Sequence, residues 1–401
     1  MDKLPITDLD IAGKTILVRA DLNVPLNLEN PPDEVVTDDT RIRASIPTIE
    51  HIVQARGKVV LMSHLGRPGG TRDDAYSLKP VAEKLSVLLE REVTFLPDTI
   101  GPDTQAKIAS AAPGSVILLE NTRFYPQETA NDDEFARQLA ANGDIFVNDA
   151  FGTAHRAHAS TVGITAHVEQ SAMGFLLARE VDYLSKVLHD SKPPFVAILG
   201  GAKVSDKIGL IENLLDRTDK ILIGGAMSYT FLKAQGKEVG LSRVEDDKLA
   251  VALDLLQRSG GKIELPTDHV TADEFAADAA HHIDTDSIDI HGMGLDIGPA
   301  TRQAYSRVIM DARTIVWNGP MGVFEMPAFA HGTIAIAEAL ASATRQGALT
   351  VVGGGDSVAA ISQAELDDDV SHVSTGGGAM LEYLEGKVLP GIAALSDRKT
   401  L

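Results

Sequence analysis

Cysteine is missing from all 401 residues. Disulfides and thiolate metal sites are therefore excluded, and a reducing compartment suits the chain. Long apolar runs are missing too. None approaches the roughly 18 consecutive apolar residues of a membrane span, so no membrane partner is expected. The N-terminus shows no basic stretch followed by an apolar core; export is not expected, and the cytoplasm is the expected location. Positive charge is in short supply, with 36 Lys and Arg against 57 Asp and Glu and a net charge of −21. Nucleic acid is disfavoured as a partner on that ground. An acidic surface also repels small anions at long range. Any phosphate site must then be a local cluster of Arg, Lys and backbone N–H groups set against that field. The most acidic stretch, from Glu264 to Asp296, reads as solvated surface, because the spacing of Asp268, Asp273, Glu274, Asp278, Asp284, Asp286 and Asp289 fits no calcium loop.

What is present is a rhythm. The runs GKVVLMSH, GSVILLEN, DIFVNDAF, PFVAILGG, DKILIGGA, RTIVWNGP and LTVVGGGD alternate with segments long enough for a helix, and each is bounded by Gly, Asn, Asp or Pro. Repeated βα units of this kind predict an α/β chain with parallel sheets covered by helices on both faces, a three-layer, Rossmann-like arrangement. The length exceeds one hydrophobic core, so two domains are expected. Ser171 to Asp190 carries apolar residues at helical spacing and stops before Lys192-Pro193-Pro194, which predicts a helix joining the domains. The expected division is 1–175, a hinge helix at 176–192, and 193–388, with the tail 389–401 packing back on the first domain.

The stretch VRADLNVP, Val18 to Pro25, ends a β-branched run with Arg19, Asp21 and Asn23 at alternate positions. Buried polar groups at a strand end either satisfy one another or line a ligand site. Other strands of the first half also end in basic residues. GKVVLM leads to His64 and Arg67, SVILLE to Arg123, and DIFVND to His155, Arg156 and His158, while Arg41 opens a predicted helix capped by Asp38, Asp39 or Thr40. Arginines gathered at one carboxyl edge suit a small multi-anionic ligand, since guanidinium forks match phosphate and carboxylate. The second half carries glycine instead. GGAKVSDK places Lys203 and Lys207 at the spacing of one helix face, and HGMGLDIGPA, WNGPMGVFE, VVGGGDSVAA and STGGGAML follow. Glycine turns between strand and helix aim free N–H groups at an anion, and together they favour a nucleotide. Gly13-Lys14-Thr15 lacks the earlier glycine of a P-loop, with Asp8 in its place, and HGMGLDIG spaces its glycines as GxGxxxG rather than GxGxxG. A P-loop kinase and a standard dehydrogenase are both disfavoured.

RADLNVP, TDDTRIRASIPTI, SHLGRP, LENTRFYP, NDAFGTAHRAHAST, GGAKVSDKI, VWNGPMGVFE, GGGDS and STGGGAM follow one another in order. In this the chain resembles the phosphoglycerate kinase family from end to end. The resemblance implies reversible phosphoryl transfer between 1,3-bisphosphoglycerate and ADP, giving 3-phosphoglycerate and ATP. The first domain would bind the glycerate and the second the magnesium complex of ADP or ATP, with Mg²⁺ as cofactor, in a monomer that closes over its substrates. Carried over by motif, Asp21 and Asn23 contact the glycerate, while Arg41, His64, Arg67, Arg123 and Arg156 hold its phosphate and carboxylate. Lys203 and Lys207 meet nucleotide phosphates, Gly294 lies by the adenine and Glu325 by the ribose. Gly354, Gly355, Asp356 and Ser357 serve the phosphates, with Asp356 also meeting the metal. Gly376, Gly377 and Gly378 offer N–H donors to the group in transit. Arg41, Lys203, Gly354 and Gly377 are the expected catalytic contributors. Ala226, Ser357 and Met380 depart from the family's usual glycine, threonine and serine. A second reading is a non-catalytic two-domain protein that binds an anionic metabolite.

Overall fold

The computed structural model describes residues 2–32 and 34–398, which divide into two units. The first runs to Val181 and takes in the chain again from Val388; the second is Asp182–Lys387. Residues 399–401 of the expected tail lie outside the described residues.

In the first unit β1 (Thr15–Ala20), β2 (Lys58–Met62), β3 (Val93–Leu96), β4 (Val116–Leu119), β5 (Ile145–Asp149) and β6 (Ser171–Met173) form one sheet. Its order is β3-β4-β2-β1-β5-β6, and every pairing is parallel. The central strands are β-branched and buried along their length, as a sheet covered on both faces requires. Helices supply the cover. Thr40–Gln54, for example, buries Ile42, Ile49 and Ile52 on one face against Ile16, Val18 and Val59 of the core. The chain leaves β1 toward β2 and leaves β5 toward β6, in opposite directions, so a crevice opens at the carboxyl ends of β1 and β5. The tail lies on this unit: Lys3 Nζ donates to the Leu395 carbonyl at 2.8 Å and to Asp397 at 2.7 Å, and Asn148 Nδ2 donates to the Gly391 carbonyl at 3.0 Å.

The segment expected as one helix from Ser171 is two elements. Residues 171–173 pair with β5, and the helix begins only at Phe175 and runs to His189. Gly174 is the break, because a Cβ there would collide with the Asp149 carboxylate. That carboxylate caps the helix, with Oδ1 accepting the N–H groups of Leu176 at 2.9 Å and Leu177 at 3.2 Å.

The second unit holds β7 (Phe195–Leu199), β8 (Lys220–Ile223), β9 (Ile263–Glu264), β10 (Asp268–Ala272), β11 (His281–Thr285), β12 (Met293–Ile297), β13 (Thr314–Asn318), β14 (Leu349–Gly353) and β15 (His372–Val373). Six of them make a parallel sheet in the order β15-β14-β13-β7-β8-β9, with its own crevice between β7 and β13. Trp317, on β13, is fully buried and donates its indole N–H to the Gly319 carbonyl at 2.8 Å. Burial of that ring contributes on the order of 3 kcal/mol.

The acidic stretch holds a feature the βα rhythm does not predict, a three-stranded antiparallel sheet in the order β11-β10-β12. Most of its acidic residues are solvated, but Asp268 and Asp296 are not. The Asp268 carboxylate accepts the N–H groups of Ala300 and Thr301, both at 2.8 Å, and so caps the helix Pro299–Asp311. Asp296 accepts the Gly332 N–H at 2.6 Å near the start of the helix His331–Arg345.

Candidate functional site

In the first unit the carboxyl edge delivers polar side chains after four strands, basic ones after three of them. Asp21 and Asn23 follow β1, His64 and Arg67 follow β2, Arg123 follows β4 and Arg156 follows β5. Asp21 Oδ2 accepts from Arg41 Nη1 at 2.9 Å, and Asn23 Oδ1 accepts the Gly66 N–H at 2.8 Å, which ties the loop carrying Arg67 to the end of β1. Arg41 stands in the first turn of Thr40–Gln54, where Asp38 accepts the Thr40 N–H at 2.9 Å; Asp39 is taken up instead by Arg43 and Lys84. Arg123 donates to the Gly66 carbonyl at 2.7 Å, yet its Nε is buried with no partner, a donor left over for a ligand.

Arg67, Arg123, Arg156, Tyr125 and His158 line a hollow of about 480 Å³. The clustering of charge shifts the protonation equilibria of its members. Burial pushes Arg123 down to about 10, and Arg156 and Arg19 push the same way. His158 is lowered to about 4 by burial and then by Arg123, Arg19 and Arg156. His64 is held well below its ordinary value by burial, with Arg19, Arg123, Arg156 and Arg41 adding to it. Both imidazoles are neutral at pH 7, and Arg123 keeps its charge. Repulsion of this kind makes a multi-anionic ligand welcome where the rest of the surface repels one.

Arg19 takes no part in the wall. It is fully buried, with Nε donating to Ser160 Oγ at 2.8 Å, Nη1 to the Ala20 carbonyl and Nη2 next to His64 Nδ1. Glu128 and Ser160 complete that buried network; Ser160 lies within NDAFGTAHRAHAST, and Glu128 lies outside every motif.

In the second unit the carboxyl ends of β7, β13, β14 and β15 surround a hollow of about 310 Å³. Lys203, Lys207, Asn318, Gly354, Gly355, Asp356, Ser357, Gly377 and Gly378 line it. The two lysines do not share a helix face as their spacing predicts. The chain is a run of turns until Ile208, where the helix Ile208–Leu215 starts, and the loop brings both lysines to the hollow. Lys203 is exposed; Lys207 is half-buried and donates to Asn318 Oδ1. Asn318 also donates to the Gly353 carbonyl at 2.8 Å, linking the ends of β13 and β14. Gly354 needs its glycine: its φ is +93°, and a Cβ would stand 2.8 Å from Asn318 Nδ2. The helix Gly355–Gln363 then turns its first N–H groups toward the hollow. Ser357 is buried, and its Oγ accepts the Gly319 N–H at 2.5 Å, which leaves its own proton to donate. Gly294 and Glu325 do not line this hollow. Gly294 sits on β12 against the Tyr229 ring, its N–H donated to Ser242 at 2.9 Å, and Glu325 is exposed in the turn before Pro327. Met380 packs its sulfur on Gly353, and Ala226 precedes the helix Met227–Ala234.

Asp356 is the one carboxylate proposed for a metal. It is exposed on the first turn of its helix, and the described residues give it no ion pair and hold no group of three acidic or histidine side chains that would cage an ion. A single hard oxygen ligand beside a phosphate cradle suits Mg²⁺ that arrives already bound to phosphates.

A guanidinium-lined hollow in one α/β unit and a cradle of lysines and glycine turns in another define a phosphotransferase. Which one follows from comparison with known proteins. The family model for phosphoglycerate kinase matches residues 6–387. Curated phosphoglycerate kinases from Chloroherpeton thalassium and Salinibacter ruber are each 54% identical, over 99% of this chain and 100% of their own. The solved phosphoglycerate kinase structure from Coxiella burnetii superposes with a TM-score of 0.88 at 41% identity, covering 98% of both chains. The chain belongs to the phosphoglycerate kinase family, enzymes that transfer a phosphoryl group to and from a carboxylate. Nucleotide substrates come with that membership, and a purely metabolite-binding role is not favoured. No described helix is long and apolar enough to cross a membrane.

Proposed function

We propose that the first unit binds 3-phosphoglycerate or 1,3-bisphosphoglycerate and the second binds the magnesium complex of ADP or ATP, in a monomer of the cytoplasm. The observation that carries this reading is the convergence of basic residues from the ends of β2, β4 and β5 on one edge of one sheet, with an unpartnered Arg123 Nε among them.

In the forward direction an oxygen of the ADP β-phosphate attacks the acyl phosphate, the bond from phosphorus to the carboxyl oxygen breaks, and its electron pair stays on the carboxylate. Both oxygens are anionic at neutral pH, so neither direction needs a general base. What the transfer needs is alignment and neutralisation. Asp21 and Asn23 orient the glycerate. Arg67, Arg123 and Arg156 neutralise its distal phosphate, neutral His64 donates a hydrogen bond, and Arg41 meets the group in transit. Lys203 and Lys207 balance the nucleotide phosphates, with Gly354, Gly355, Ser357 and the Gly376–Gly378 turn supplying N–H and hydroxyl donors. Asp356 would hold Mg²⁺, which supplies charge neutralisation across the phosphates. Gly294 by the base and Glu325 by the ribose complete the nucleotide contacts.

A coupled assay with 3-phosphoglycerate and ATP, with and without magnesium, tests the reading. Turnover that requires both substrates and the metal is the expected result. Absence of turnover with all three present overturns it.

A further inference from the structure

The basic cluster of the first unit is built around a buried anion. Glu128, on the short helix Pro126–Thr129, is fully buried. Its Oε1 accepts the Ser160 hydroxyl at 2.5 Å and the Thr122 hydroxyl at 3.3 Å, and its Oε2 accepts the Ser160 N–H at 3.0 Å. Its carbonyl accepts the Ala159 N–H at 2.9 Å. One side chain thus pins the turn before Arg123 to the loop that follows Arg156.

The contact extends further. Ser160 Oγ gives its only proton to Glu128 and accepts from Arg19 Nε at 2.8 Å. Burial works against the charge on Arg19, and the carboxylate that works most strongly for it is Glu128, ahead of Asp21. A guanidinium stripped of water needs such a counter-charge, here passed through a serine instead of a direct pair. Arg19 Nη2 in turn lies 3.1 Å from His64 Nδ1. A guanidinium has donors and no acceptor, so Nδ1 must accept and the ring proton of His64 must sit on Nε2. The alternative tautomer would set two N–H groups against each other.

We propose that Glu128 is a positioning residue for the reaction, acting through Ser160 and Arg19 to hold His64 as the Nε2–H tautomer, which offers its N–H to the anionic substrate. The proposal rests on the reading of His64 as a substrate contact. With Glu128 neutralised, Arg19 loses the stronger of its two counter-charges and the Ser160 hydroxyl is held by an amide in place of a carboxylate, so Arg19 is no longer fixed against His64 Nδ1 and the ring can take either tautomer.

The test uses the full chain carrying Glu128→Gln, Ser160→Ala or Ser160→Thr. The protonated ring nitrogen of His64 is read by nitrogen-15 NMR, and KM is measured separately for 3-phosphoglycerate and ATP. Glu128→Gln and Ser160→Ala are expected to mix the His64 tautomers and to raise KM for 3-phosphoglycerate roughly tenfold, the effect of one lost charge-assisted hydrogen bond. KM for ATP should stay within about twofold, and Ser160→Thr, which keeps the hydroxyl relay, should restore both readouts. Should Glu128→Gln fail to fold, Ser160→Ala carries the test, since it removes no charge. An unchanged His64 spectrum in a folded variant, or equal losses for both substrates, overturns the proposal. His64→Gln separates the premise from the inference. If it leaves KM for 3-phosphoglycerate at the wild-type value, the link to substrate is overturned, while the NMR comparison still decides whether Glu128 sets the tautomer.

Discussion

Arg41 donates from Nη1 to Asp21 Oδ2 at 2.9 Å, so the cation assigned to the group in transit is already aimed by a residue assigned to the glycerate. The arginine is about 38% exposed and the aspartate is buried. The pair therefore contributes little to the fold, about 1 kcal/mol after screening. Arg41→Ala is expected to leave the melting temperature nearly unchanged and to lower kcat on the order of 10³, about 4 kcal/mol of transition-state stabilisation. Steady-state kinetics beside a thermal melt checks this, and near-normal turnover would remove Arg41 from the mechanism. Asp21→Ala should act differently, raising KM for 3-phosphoglycerate roughly tenfold through the lost contact to the glycerate, with a smaller fall in kcat from a misdirected Arg41.

Lys203 and Lys207 divide the work of the nucleotide hollow. Lys203 is exposed with no ion pair among the described residues, whereas Lys207 is half-buried and held by Asn318. Lys203→Ala should cost kcat on the order of 10³ with an intact fold. Asn318→Ala should instead raise KM for ATP roughly tenfold and lower stability, because it frees Lys207 and leaves the Gly353 carbonyl without its donor. Equal effects on kcat and KM in both variants would argue against the division.

Much of this arrangement is legible along the chain, and the exceptions have physical causes. VRADLNVP and the seven apolar runs announce buried parallel strands because such strands are apolar on both faces; they become β1, β2, β4, β5, β7, β8, β13 and β14. The antiparallel strands β10 to β12 escape notice because β11, HHIDT, is almost wholly exposed and has no apolar face to show. Lys203 and Lys207 stand at helical spacing, but spacing alone does not exclude a run of turns. Glu128 stands in a short polar segment, QETANDDE, that carries no motif. Its burial is made by Ser160, 32 residues further on, and no local pattern carries that information.

Two buried carboxylates give the fold a pH dependence of known sign. Asp149 is raised from its ordinary value of 3.8 to about 6, chiefly by burial, against the hydrogen bonds from Leu177 and Leu176. Asp296 is raised to about 7, again by burial first. An acid whose folded pKa is raised binds its proton more tightly in the folded state. Its stabilising contribution is complete below the unfolded pKa and is lost as pH rises through the folded one. Asp149→Asn keeps an acceptor for the helix cap but does not titrate. Between pH 8 and pH 5 the wild type should therefore gain about 1 kcal/mol of stability relative to this variant. Urea midpoints at the two pH values measure it, and parallel curves would show that Asp149 does not titrate in this window.

Gly354 and Gly355 stand side by side and should respond in opposite ways. At Gly354 the positive φ and the nearness of Asn318 both refuse a Cβ, so Gly354→Ala should destabilise the second unit by about 1–3 kcal/mol. At Gly355 a Cβ meets nothing within 4 Å and the backbone is helical, so Gly355→Ala should melt at or slightly above the wild-type temperature. Space that is open without ligand is the space a phosphate would fill if the helix N-terminus holds one. Gly355→Ala should then raise KM for ATP while leaving KM for 3-phosphoglycerate alone. A Gly355→Ala enzyme with wild-type nucleotide KM would mean that the phosphates do not approach this turn, and would move the cradle toward the turn at Gly376–Gly378.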